Sequence, residues 1–186
     1  MAGIIDTHAH YDDSAFDIDR DALLAQVGHS TVTKIINIGD SPSSCRSTLE
    51  ISRKYENVYA AIGVHPTETG ALNDDIFAEL ADMAENNLQR DGRGHVVAIG
   101  EIGLDYHEEG VSKEVQQKWF IRQMELAQRL NLPVSIHSRD AAEDTLEIIK
   151  RFGGKVKGVI HCFSYSKEMA AEYDRLGFAI GIGGVV

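Results

Sequence analysis

A chain of 186 residues that is 43% hydrophobic is long enough for one sizeable core and short for two domains. Lys+Arg 18 against Asp+Glu 29 gives a formal net charge of -11, the wrong sign for holding nucleic acid on a broad basic face. No window nears the run of about 18 apolar residues that a membrane span needs, so a membrane partner is not expected.

Met1-Ala2-Gly3 leads directly into Ile4-Ile5-Asp6-Thr7-His8-Ala9-His10. With so short a lead no signal peptide is expected, and the two widely separated cysteines, Cys45 and Cys162, fit an expected reduced, cytoplasmic protein. Ile4 and Ile5 suit a buried strand. His8 and His10, two positions apart on an extended backbone, turn their imidazoles to one side and make half of a divalent metal site. A polar loop from Tyr11 to Asp17 precedes a weak helical stripe from Asp19 to about His29. The residues 34–39 read as a second strand, Pro42 to about Tyr55 as a helix, and 57–63 as a third strand ending at Val64-His65-Pro66. A long acidic helix from Asp74 to about Arg90 leads to a fourth strand, 96–100, ending in Glu101.

The second half keeps this rhythm. Lys113 to Leu130 has the clearest helical periodicity. Residues 133–136 form a fifth strand ending in His137, and Ala141 to about Phe152 a helix. Residues 156–160 form a sixth strand ending in His161; Ser166 caps a helix to about Leu176, and 178–182 form a seventh strand. Strands apolar on both faces and separated by helices predict a parallel sheet. His8, His10, His65, Glu101, His137 and His161 all fall at strand ends. A barrel brings such ends to one rim, whereas an open sheet spreads them along a line. The expected fold is α/β, a TIM-type (β/α)8 barrel.

Asp6-Thr7-His8-Ala9-His10, Gly63-Val64-His65-Pro66, Gly100-Glu101-Ile102-Gly103-Leu104-Asp105-Tyr106, Ile136-His137-Ser138-Arg139-Asp140-Ala141 and Ile160-His161-Cys162-Phe163-Ser164 occur in one order along the whole chain. In that order and spacing they resemble the TatD-type deoxyribonucleases, within the amidohydrolase-like barrels. The resemblance implies a metal-dependent hydrolase of phosphodiester bonds in DNA, with exonuclease action expected. It implies two divalent ions, magnesium or manganese first, with zinc or nickel compatible with imidazole-rich ligation. His8 and His10 correspond to ligands of one ion, Glu101 to a bridging catalytic carboxylate, and His137 with His161 to ligands of the other. His65 corresponds to a catalytic and substrate-binding histidine near the scissile phosphate, and Arg139 to a residue facing the DNA backbone.

The family pattern continues to an eighth strand ending in Thr-Asp, while this sequence stops at Gly183-Gly184-Val185-Val186. Residues 1–186 are therefore expected to form a single barrel domain incomplete at its C-terminal end. Unpaired edges would then favour self-association. His107 and Tyr165 replace residues common in the family beside the expected groove. Alternative readings are a barrel hydrolase of a small ester, lactone or amide, or an inactive metal-binding fragment; Glu101, where many amidohydrolases hold a carboxylated lysine, weighs against the former. Asp6 could orient an imidazole or bond a strand end, and Asp105 could support Glu101 or cap a turn. Arg139 could equally be an ordinary helix-start residue. Cys162, following a ligand histidine on a strand, is expected to face packing.

Overall fold

A computed structural model describes residues 3–89 and 94–184. Seven strands alternate with six helices: β1 (Ile4–Ala9), α1 (Arg20–Leu24), β2 (Val32–Ile38), α2 (Pro42–Lys54), β3 (Val58–Ile62), α3 (Asp74–Asn86), β4 (Val96–Asp105), α4 (Lys113–Leu130), β5 (Val134–Arg139), α5 (Ala142–Arg151), β6 (Gly158–Ile160), α6 (Lys167–Arg175) and β7 (Phe178–Ile180). Every strand pairs in parallel with the next in sequence, in the order β1 to β7. The sheet curls, because His8 of β1 stacks on His161, just past β6, with ring centroids 3.8 Å apart. This is the curled wall of a TIM-type barrel, with seven strands among the described residues where a complete barrel has eight.

Local sequence explains most boundaries. Ser41, Asn73, Ser112 and Ser166 each accept a backbone N–H three residues on, so α2, α3, α4 and α6 start where the side chain can satisfy an otherwise orphaned donor. The helices pack on the sheet's outer face, with Trp119, Phe120, Met124, Ile99, Ile102, Leu104 and Ile136 in the main core. Inside the curl, Ile36, Ile38, Ala98, Val134, Val159 and Ile180 line a mostly apolar cavity of about 410 Å3.

Four expectations need correcting. α1 spans only Arg20–Leu24, since Asp19 makes no side-chain capping bond, and Gly28 takes a φ of 89° where a helix to His29 would have to run. Ile4 and Ile5 are exposed, 56% and 54%, because β1 pairs on one side only among the described residues. α3 ends at Asn86, beyond which Leu88 bridges to Val96; Arg90 lies outside the described residues, as do Met1, Ala2, Val185 and Val186. β4 does not stop before Glu101 but continues to Asp105, and β5 continues through His137 to Arg139. Gly100 and Gly103 permit this: a Cβ at Gly100 would lie 2.8 Å from Ser135 Cβ, and one at Gly103 1.9 Å from the His137 carbonyl oxygen. A register shift between Ile99 and Ile102 sets Glu101 at an irregularity in the β4–β5 ladder.

Candidate metal centre

The curl gathers His8, His10, His65, His137 and His161, from at or near the carboxyl ends of β1, β3, β5 and β6, around Glu101, which sits midway along β4. Glu101, 4% exposed, stands at the middle. Its Oε2 lies 3.4 Å from His8 Nε2 and 3.5 Å from His10 Nε2, and those two nitrogens are 3.1 Å apart. Its Oε1 lies 2.6 Å from His161 Nε2 and 3.1 Å from His137 Nδ1, which are themselves 3.3 Å apart. One oxygen of a single carboxylate thus faces each histidine pair. Spacings of this size are those of neighbouring corners around an ion with bonds of about 2.0–2.2 Å. His8, His10 and Glu101 form one group able to hold a metal ion, and His65, Glu101 and His137 another.

Outer partners aim the rings. The His10 Nδ1 lies 3.1 Å from the Ile38 carbonyl oxygen and donates there, so Nε2 is the ring nitrogen turned toward Glu101. His8 Nδ1 lies 3.0 Å from Ser135 Oγ across the curl. The Thr67 N–H donates to His65 Nδ1, 3.4 Å away, with Thr67 Oγ1 also 2.8 Å from that nitrogen. His65 Nε2 is therefore the N–H, and it stands 3.9 Å from Glu101 Oε1.

Burial and mutual charge divide these groups. Burial alone would raise the Glu101 carboxyl, but hydrogen bonds from His10, His137, His161 and His8 outweigh it and hold the group ionised far below its ordinary range. Burial pushes His65 down to about 4 and also lowers His8, where His161 and His10 add repulsion. The hydrogen bond to Glu101 raises His10; His137 is raised too, its contacts with Glu101 and Asp105 outweighing burial. An acidic, oxygen-sharing centre ringed by imidazoles is a donor set suited to divalent cations.

The remaining candidates fall around this centre. Arg139 is the last residue of β5, not the start of α5, and its guanidinium lies 3.3 Å from Glu108 on an exposed rim. Asp6 Oδ1 accepts the His8 backbone N–H at 3.1 Å and so serves its own strand. Cys162 is exposed, against expectation, since β6 ends at Ile160 and Cys162 adopts a φ of 44°, where strand alternation no longer applies. Tyr165 brings its hydroxyl within 3.0 Å of Ser138 Oγ, and His107 pairs with Asp140 at 3.0 Å. Ser135 escaped sequence reasoning; its inward position two residues before His137 on one strand was the available signal.

The chain matches the family model described as TatD related DNase over residues 5–186. It is 36% identical over 185 residues to the uncharacterized metal-dependent hydrolase YabD of Bacillus subtilis, covering 98% of this chain and 69% of that protein. It is 34% identical over 174 residues to the 3'-5' ssDNA/RNA exonuclease TatD of Cronobacter sakazakii, covering 93% of this chain and 64% of that one. The crystal structure of a TatD-family hydrolase from Entamoeba histolytica superposes with a TM-score of 0.86 at 31% identity, covering 98% of this chain and 65% of that one. The chain therefore spans about two thirds of the length of these relatives. No helix among the described residues is long and apolar enough to cross a membrane. The chain belongs to the TatD-related DNase family, and with it to the metal-dependent hydrolases.

Proposed function

We propose that this chain carries the metal centre of a phosphodiester hydrolase acting on DNA, with two divalent ions sharing Glu101. The observation that carries the reading is that Oε2 of Glu101 faces His8 and His10 while Oε1 faces His137 and His161. His8 and His10 would hold one ion and His137 with His161 the other. Bound there, the ions would polarise a phosphoryl oxygen and lower the pKa of a bound water. Four imidazoles to one carboxylate suit manganese better than magnesium, which prefers an oxygen shell, and leave zinc and nickel compatible.

The chain's other residues take roles around that centre. His65, kept neutral by burial, would donate its Nε2–H to a phosphoryl oxygen rather than bind an ion. Arg139 would exchange its exposed partner Glu108 for the phosphate backbone. Relatives of the family named for DNase and for 3'-5' ssDNA/RNA exonuclease activity support a nucleic-acid substrate and digestion from an end.

A small, weakly charged ester or lactone is favoured by one feature: the cavity beside His10, about 330 Å3, carries Asp12, Asp13 and Asp40 along with His65 and Glu101. The deciding experiment is manganese- and magnesium-dependent degradation of end-labelled single-stranded DNA, with Glu101→Ala and a lactone panel alongside. Release of nucleotides by the wild type and not by the variant is expected. Lactone turnover without DNA cleavage would move the assignment to the small-substrate reading.

A further inference from the structure

The histidine His137 holds two contacts that the centre described above uses unequally. Its Nδ1 faces Glu101 Oε1 at 3.1 Å and His161 Nε2 at 3.3 Å, whereas its Nε2 lies 2.9 Å from Oδ2 of Asp105, on the far side of the ring. Asp105 is the last residue of β4 and is 2% exposed. Its other oxygen, Oδ1, accepts the backbone N–H groups of His107 at 2.9 Å and Glu108 at 3.1 Å. Its own backbone is clamped by the buried Gln116 of α4. The Asp105 N–H donates to Gln116 Oε1 at 2.9 Å, and Gln116 Nε2 donates back to the Asp105 carbonyl at 2.8 Å.

The geometry points to Asp105 as a positioning residue: its carboxylate fixes the hydrogen of His137 on Nε2, which leaves the Nδ1 lone pair aimed at the ion held by Glu101, His137 and His161. This rests on the two-ion reading of the centre. An ionised carboxylate only accepts hydrogen bonds, so all three of its neighbours must be donors, and two of them are backbone N–H groups that can be nothing else. The third, Nε2, must then carry a hydrogen, and the Nδ1 hydrogen that faces Glu101 in the metal-free chain is the one an ion would displace. A carboxylate behind a metal-binding histidine both sets the ring's angle and raises the basicity of its free nitrogen. The clamp through Gln116 ties this carboxylate to the first turn of α4, so the ring is held by the folded core and not by the rim loop alone.

Asp105→Asn separates this role from simple turn capping. An asparagine can point its oxygen at the His107 and Glu108 N–H groups and keep the turn. Its –NH2 then faces Nε2 and forces the ring hydrogen onto Nδ1. The expected result has two parts. Long-range proton–nitrogen NMR of the metal-free chain at mildly alkaline pH, with the His137 signal identified by its loss in His137→Gln, shows Nε2–H in the wild type and Nδ1–H in Asp105→Asn. Calorimetric titration with manganese shows one of two ions weakened by about 10- to 100-fold in Asp105→Asn and the other unchanged. A wild-type ring with no hydrogen on Nε2 overturns the proposal whether or not the variant folds. So does an Asp105→Asn chain that keeps both its Nε2–H and its second-ion affinity. Failure of the wild type to take a second ion overturns the two-ion reading instead, and the two failures are told apart by the NMR signal.

Discussion

β1 and β4 both deliver ligands to the same centre, but from opposite surroundings. β4 is buried along nearly its whole length, between β3 and β5 and beneath α4. β1 pairs only with β2 among the described residues, and Ile4 and Ile5 lie more than half exposed. The difference carries through to the histidines. His137, beside β4, is oriented by a buried carboxylate, whereas His10 is oriented by one backbone carbonyl and keeps a side chain 36% exposed. One half of the centre is built into the core and the other is hung from an edge, with Glu101 joining them.

The largest expected effect comes from removing that joint. Glu101→Ala should abolish binding of both ions and lower hydrolysis by on the order of 1,000-fold or more, measured by equilibrium dialysis and by nucleotide release. Stability should follow the core and not the edge. Phe120, fully buried on α4 in the main core, should cost about 3–5 kcal/mol as Phe120→Ala in urea melts, whereas Ile5→Ala should cost less than about 1 kcal/mol. Equal costs would mean that β1 is sealed in solution. His10→Ala should weaken the edge-side ion by more than about 100-fold while the ion beside His137 and His161 stays bound, which calorimetry would resolve.

The smallest effect is a difference in reactivity between the two thiols. Cys45 donates to the Gly63 carbonyl at 3.0 Å, and burial pushes its thiol up to about 12. It stays protonated at neutral pH and shielded. Cys162 is exposed. Native protein should therefore release one equivalent of chromophore from a disulfide reagent, and denatured protein two. Two fast equivalents in the native state would show that the β2–β3 region opens readily.

Sequence reading succeeded where the determinants were local. α4 runs from Lys113 to Leu130 as its periodicity predicts, because Ser112 caps it and its apolar stripe is unbroken. The convergence of the histidines and Glu101 is legible from their places on successive parallel strands and from the order of the motifs. The extent of β4 was not, since Gly100 and Gly103 look like strand terminators until the close approach of Ser135 and His137 is known. α1 was over-extended because a weak stripe without a cap resembles a longer helix. The turn-capping by Asp105 is as expected, but its contact with His137 and that of Ser135 with His8 were not legible, because each reaches a ring that comes from another strand.

The measurement that bears most directly on the central claim is electron paramagnetic resonance of the chain loaded with manganese to saturation. Two ions bridged by Glu101 should give an exchange-coupled dinuclear spectrum with two ions per chain, lost in Glu101→Ala. A six-line spectrum of isolated manganese, or a single ion at saturation, would contradict the shared carboxylate and with it the account of the site.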